Sequence, residues 1–363
     1  MYAAGETGEA MSADDERQSD EQRLARYGEK VRALGVAPLW EFFSNWFSAT
    51  PVVAAEPFVW RYDTLRPLLL EAAAVITAEQ AERRVLALEN PGLGGRRLAI
   101  DSLYAGLQLI LPGEIAPSHR HSPAALRFIL EGHDAYTAVE GERAYMSPGD
   151  FIVTPSWAWH EHGNEGRGPT IWLDVLDVAL IRFLGAGFSE HYVSREFPRS
   201  APPGDSRYRF GRNMRPAGYR RGPEGSPVFS YPYSQSREIL ERLRVDSPPD
   251  PRYGLKMEYV DPTTGGPAIP TLSTFLQLVP RGFVTQPYRT TAATLFAVVE
   301  GRGFARVTVG ETTRDLQFGP RDIFVVPSWQ SHTIEAQTDL VLFSASDEAV
   351  QRTLNVWREE PGR

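Results

Sequence analysis

A chain of 363 residues with 42% hydrophobic content is long enough for two domains and a large buried core. Its net charge of −8 provides no general field for polyanions, which argues against a nucleic-acid partner. With no cysteine, disulfides, thiolate zinc sites, iron–sulfur clusters and cysteine nucleophiles are excluded, leaving histidine and carboxylate chemistry.

The N-terminal stretch MYAAGETGEAMSADDERQSDEQ lacks the apolar core of a signal peptide, and no later segment reaches the length of a membrane span. A cytoplasmic protein with no membrane partner is expected. Residues 1–19 read as a disordered acidic tail, and 20–97 as an N-terminal helical region. Within that region helical patterns cover Glu21 to about Leu34 and Pro67 to Ala87, the proline standing where a first helical turn tolerates it. The aromatic run LWEFFSNWF lies between them.

From residue 98 to 194 short apolar–polar alternations broken by Gly, Pro and Asn predict a succession of antiparallel strands. Residues 195–252, rich in Pro, Gly, Arg and Tyr, read as a linker with one short helix at Gln235 to Arg244. The basic RNMRPAGYRRGP within it reads as a solvated or subunit-contacting loop. Strand patterning resumes in 253–363 and repeats the first set. LQLILPGEIAPSHRHSPAALRFILEG answers to LQLVPRGFVTQPYRTTAATLFAVVEG, and SPGDFIVTPSWAWH to GPRDIFVVPSWQSH. The chain reads as one barrel duplicated.

The copies differ in their histidines. His119 and His121 of the first align with Tyr288 and Thr290 of the second, where only His332 answers to His160. His119-x-His121 on a strand puts both imidazoles on one face, because strand side chains alternate with period two. His160 can return to the same interior through the barrel's hairpin. Three neutral imidazoles suit iron, copper, nickel or zinc, so residue type alone does not choose the metal. The second barrel is expected to be metal-free, with His332 a relic.

Gly113-x5-His119-x-His121 followed by Gly132 resembles the first cupin motif, and Gly149-x5-Pro155-x-Trp157-x2-His160-x3-Asn164 the second. This implies a mainly β fold, a bicupin of two double-stranded β-helix (jelly-roll) barrels with N-terminal and linker helices. Ala125 stands where the first motif usually carries a glutamate ligand; its loss leaves three coordination positions open on a six-coordinate ion. From about Leu39 onward, with ERRVLALENPGL, LYAGLQLILPGE, ALRFILEG, PTTGG and PSWQSH, the pattern resembles gentisate 1,2-dioxygenases and the related salicylate and 1-hydroxy-2-naphthoate dioxygenases.

That resemblance implies Fe(II), and cleavage by O2 of an ortho-hydroxybenzoate between the carboxylated and the adjacent hydroxylated carbon, gentisate giving maleylpyruvate. It also implies a homo-oligomer, a tetramer being favoured. Arg127 and Arg83 would hold the substrate carboxylate, the alternative for each being a structural salt bridge. Arg127 shares the face of His121 only if one strand runs unbroken across Pro123. His162 would act as acid or base, Gln108 and Tyr104 would line the pocket, and Asp174 would accept from a distal ring hydroxyl. His133 and His191 read as surface residues, and Trp157, Trp159 and Trp172 as core.

Two positions depart from the family pattern. SPAALR replaces the expected TQSALR, and Val175 replaces a glycine, adding bulk beside the far edge of the ring. A 5-substituted salicylate, nitro or halo, is therefore an alternative substrate, as is 1-hydroxy-2-naphthoate. A zinc or nickel isomerase or hydrolase, or a binding cupin, is the reading from another class.

Overall fold

The computed structural model describes residues 13–220 and 225–362. Contacts divide the chain into two compact units that part after Val52. The first contains the helix Ala13–Arg32 and short helical turns at Leu39–Glu41 and Phe43–Trp46. The Arg32 guanidinium donates to Glu41 at 2.6 Å, and Tyr27 stacks on Trp40. The helix begins within the stretch expected to be a disordered tail: residues 13–19 are helical, a correction, and 1–12 lie outside the described residues.

The second unit holds two antiparallel barrels, each a six-stranded sheet facing a five-stranded one. In the first barrel the six-stranded sheet runs, in spatial order, Ser230–Tyr231, Phe151–Thr154, Ala125–Glu131, Thr170–Leu176, Tyr104–Ile110 and Val85–Ala87. Opposite it lie Ser189–His191, Ile115–His121, His160–Asn164, Ala135–Val139 and Glu142–Tyr145. The second barrel repeats this plan, and its six-stranded sheet takes its edge strand, Phe58–Trp60, from near the start of the unit.

Two expectations for the connecting regions need correction. The Pro67 helix begins earlier, at Tyr62, and ends at Val75; the predicted pattern continues into a short turn, Ala78–Ala81, and then into the strand Val85–Ala87. The physical reason is a distant cap. Asp322 of the second barrel accepts from the Tyr62 backbone N–H at 2.9 Å and from Arg61 at 3.0 Å, satisfying the helix start five residues ahead of the proline. The stretch 195–252 is more than a connection: besides its helices Asp205–Phe210 and Tyr233–Asp246 it pairs Ser230–Tyr231 with the first barrel. Of the basic RNMRPAGYRRGP, residues 212–220 are mostly exposed and 221–223 lie outside the described residues.

Alternation along the six-stranded sheets creates two kinds of core. In the first barrel Leu107, Leu109, Leu126, Phe128, Leu173 and Val175 face outward and pack with Leu276, Leu278, Leu295, Val341 and Phe343 of the second. Phe128 stacks on Phe343 with ring centroids 4.1 Å apart. The intervening residues face the barrel interior, where Ile110, Ile129, Ile152 and Trp172 form a separate cluster. Val175 therefore lies in the seam between the barrels, and the expectation that it crowds the pocket is corrected by the period of two.

The duplication persists in backbone detail. Trp157 and Trp329 both adopt positive φ, 65° and 62°. Their N–H groups donate to His121 and Thr290 carbonyls, and Arg120 and Arg289 lie over their rings at 4.4 and 4.5 Å. Trp157 and Trp159 are only partly buried; of the three tryptophans expected in the core, Trp172 is the one enclosed.

Candidate metal centre

His119 and His121 occupy the end of the strand Ile115–His121, and His160 opens the strand His160–Asn164, directly across from His119. Their ligand nitrogens all lie within 4.8 Å of one another, with His119 Nε2 and His160 Nε2 3.0 Å apart. His121 Nδ1–H donates to the Pro123 carbonyl at 2.7 Å and His160 Nδ1–H to the Ala158 carbonyl at 3.0 Å. A carbonyl can only accept, so both rings are held in the tautomer that leaves Nε2 free. Pro123 of the unusual SPAALR segment serves here through its backbone, for which the side chain is immaterial.

Burial keeps these imidazoles neutral, the form a metal binds. It pushes His119 down to about 2, with the Arg83 charge adding to the effect, and His121 down to about 4. His160 is also lowered far below the ordinary range by burial. Ala125 is enclosed and offers no carboxylate. Three convergent neutral imidazoles, two of them with fixed tautomers, fit a divalent first-row ion that retains open positions.

The facing sheet supplies the other predicted side chains. Arg127 is on Ala125–Glu131, a separate strand in the other sheet, so the unbroken-strand condition fails and the guanidinium enters from the opposite wall. It is paired in register with Asp174; its Nε lies 3.5 Å from Asp174 Oδ1, and its Nη1 donates to Thr154 Oγ1 at 2.5 Å. Trp172 Nε1–H donates to the same Asp174 oxygen at 3.0 Å. Burial drives the Asp174 carboxyl up to about 6, against the opposing pull of Arg127. Sequence reasoning missed Thr154 and the tryptophan N–H; the Trp-x-Asp spacing could have indicated the second.

Of the adjacent arginines, Arg84 is the structural one, making two bonds to Glu114 at 2.8 and 2.9 Å. Arg83 donates to the Glu82 and Pro117 carbonyls, the latter two residues before His119. Burial, followed by the Arg127 charge, pulls Arg83 down to about 9. Gln108 is buried opposite Trp172. Tyr104, pushed up to about 12 by burial, has its hydroxyl where a methyl on Gly106 would come within 2.8 Å. His162 is fully enclosed and its Nδ1 lies 3.0 Å from Thr137 Oγ1. Two buried atoms of this group, Arg127 Nε and His162 Nε2, have no hydrogen-bond partner among the described residues. His133 and His191 are exposed, as expected.

Paired jelly-roll barrels, one of which carries three converging imidazoles, define a bicupin with a metal centre in its first barrel. The Cupin domain profile matches residues 106–176. The chain is 46% identical to gentisate 1,2-dioxygenase 1 of Aquipseudomonas alcaligenes over 91% of its own length and 94% of the relative's. It is 36% identical to a 5-aminosalicylate 1,2-dioxygenase of Comamonas sp over 96% of its length and 92% of the relative's. The salicylate 1,2-dioxygenase of Pseudoaminobacter salicylatoxidans, solved as adducts with gentisate, superposes with a TM-score of 0.86 at 30% identity over 93% and 94% of the two chains. The chain belongs to the gentisate and salicylate 1,2-dioxygenase family and is a ring-cleaving dioxygenase.

Proposed function

We propose that the first barrel uses Fe(II) and O2 to open an ortho-hydroxybenzoate between its carboxylated and adjacent hydroxylated carbons, with gentisate as the principal substrate and maleylpyruvate as product. The observation that carries this reading is the buried His162 Nε2, which has no hydrogen-bond partner among the described residues, together with Arg127 Nε, held only by a 3.5 Å ion pair to Asp174, beside three convergent imidazoles. An enclosed imidazole nitrogen without a hydrogen bond is costly, as is an enclosed guanidinium N–H with only a long ion pair, and a hydroxycarboxylate supplies an oxygen for each.

Arg127 and Arg83 hold the substrate carboxylate, Arg127 itself being oriented by Thr154. Iron, when bound, supplies open positions for substrate and O2 and carries electron density between them. His162, oriented by Thr137, exchanges a proton with the substrate hydroxyl at Nε2. Gln108 and Tyr104 line the ring's path, and Asp174 meets a distal ring hydroxyl. The enclosing walls, Trp172 and Ile129 among them, exclude water from the opened intermediate.

The similarity to a 5-aminosalicylate dioxygenase favours a second reading, a salicylate substituted at the 5-position. The test is anaerobic loading of the protein with Fe(II), then oxygen uptake and product ultraviolet absorbance with gentisate, 5-amino-, 5-nitro- and 5-halosalicylates and 1-hydroxy-2-naphthoate. Gentisate turning over fastest supports the first reading, and a substituted salicylate doing so supports the second. No uptake with any of them overturns both and leaves a non-redox cupin.

A further inference from the structure

The second barrel has lost two of three metal-site histidines, yet its interior has not closed. A cavity of about 380 Å³ lies where the metal centre lies in the first copy, lined by Tyr288, Thr290 and His332 from one sheet and by Lys256 and Phe275 from the other. That volume is within the range of small-molecule sites. Replacements elsewhere in the duplicated pattern removed the first barrel's chemistry: Phe296 stands for Arg127, Ser344 for Asp174 and Ile334 for His162.

What remains is polar and under-satisfied. His332 is 94% enclosed, being 6% exposed. Its Nδ1–H donates to the Gln330 carbonyl at 3.3 Å, as His160 does to Ala158, which turns Nε2 toward the barrel interior as an acceptor. Among the described residues that Nε2 has no hydrogen-bond partner, nor has the Trp357 indole N–H, a donor on the cavity wall.

Lys256 lies opposite Gln277 on the inward face. Among the described residues it makes no ion pair; its ammonium rests 4.0 Å from the Phe275 ring centre and 4.9 Å from that of Tyr253. The carboxylates around it are largely committed: Glu359 accepts from Arg252 and Tyr253, and Glu348 from Arg352 at 2.7 Å. Glu258 remains, at the exposed margin. The cavity thus presents a cation, an N–H donor and an imidazole acceptor among the rings of Tyr253, Phe275, Tyr288 and Trp357.

We propose that the second barrel binds a small aromatic hydroxycarboxylate without transforming it, the carboxylate against Lys256, the hydroxyl donating to His332 Nε2, and the ring between the aromatic walls. The donor set comes from this cavity alone and does not rest on the reading of the first barrel. In the cell such a ligand is either a substrate-like aromatic acid or, with the same polar groups on an opened ring, the reaction's product.

The test is calorimetric titration of the full-length, iron-loaded protein under anaerobic conditions with salicylate and gentisate. Two molecules per chain are expected. Lys256→Met and His332→Phe each reduce this to one, or weaken the second event about tenfold, while leaving the rate of gentisate turnover in the first barrel unchanged. Benzoate lacks the hydroxyl and phenol the carboxylate, so each is expected to bind the second site more weakly than salicylate does. Titration with the ring-opened product separates the two cellular sources: the stacking walls predict weaker binding than for the intact ring. Arg127→Ala, which addresses the first barrel, should leave the Lys256-dependent event in place, so failure of the first-barrel reading and failure of this one give different outcomes. A second measurement needs no variant: crystals soaked in 5-iodosalicylate should show an iodine anomalous peak in the second barrel. One molecule per chain in the native protein, two events insensitive to both variants, or iodine confined to the first barrel would overturn the proposal.

Discussion

At the scale of single residues, the centre separates groups that hold the metal from groups that serve the substrate. His119→Ala removes one of three ligand nitrogens, and the expected result is near-complete loss of bound metal by elemental analysis, together with turnover. His162→Ala leaves the three ligand nitrogens untouched; metal content should stay near one per chain while kcat falls about a hundredfold, the lower range for losing a general acid or base. If metal and turnover fell together in both variants, His162 would belong with the ligands.

Asp174 and the ligand histidines drive stability in opposite directions with pH. The Asp174 carboxyl, raised to about 6 by burial, keeps its proton longer in the folded protein than in the unfolded chain, whose ordinary value is 3.8. Its contribution is fully present below that ordinary value and is lost as pH rises through about 6. His119, lowered to about 2, and His121, lowered to about 4, act in reverse: the unfolded chain takes up their protons first, so metal-free protein gains stability as pH rises toward 6.5. Urea midpoints of chelator-treated native protein and Asp174→Asn, compared from pH 4 to 7, cancel the histidine contribution. The variant should gain relative to the native protein as pH rises, and a constant gap would mean that Asp174 is already ionised at pH 4.

At the scale of elements, much was legible and some was not. Strand alternation and the repeated LQL, EG and PSW segments disclose two barrels, because a half-buried strand writes its period into sequence. The same period, applied to Val175, would have turned it away from Asp174 and into the seam; the error came from reading neighbours in sequence as neighbours in space. Arg127 entered the site by an unforeseen route, from the facing sheet, since Pro123 marks the passage between sheets and not a kink in one strand. Invisible to any local reading was Asp322, which starts the helix Tyr62–Val75 from 260 residues away. Asp322→Ala should cost about 1–2 kcal/mol, the usual effect of a lost cap, in chemical denaturation. It should also speed amide hydrogen exchange in the first turn of that helix, with exchange at the His119 strand unchanged.

At the scale of the molecule, the two barrels share one core. Phe343 of the second stacks on Phe128 of the first and approaches Phe151 at 5.5 Å. Phe343→Ala should therefore destabilise by roughly 3–5 kcal/mol, as large buried aromatics do, and lower a single transition in which metal release and loss of β signal coincide. Two separate transitions would show barrels that fold independently.

The seam also records how the halves have grown apart. Both copies turn the same strands toward it, as the two faces of an isologous contact would, but their volumes are traded. Phe128 in one half answers to Ala297 in the other, and Leu173 to Phe343. A tandem of two first halves would set Phe128 against a leucine, and a tandem of two second halves would leave an alanine where a ring is needed. The halves have become a left and a right glove: each still has the outline of the other, and neither can replace it.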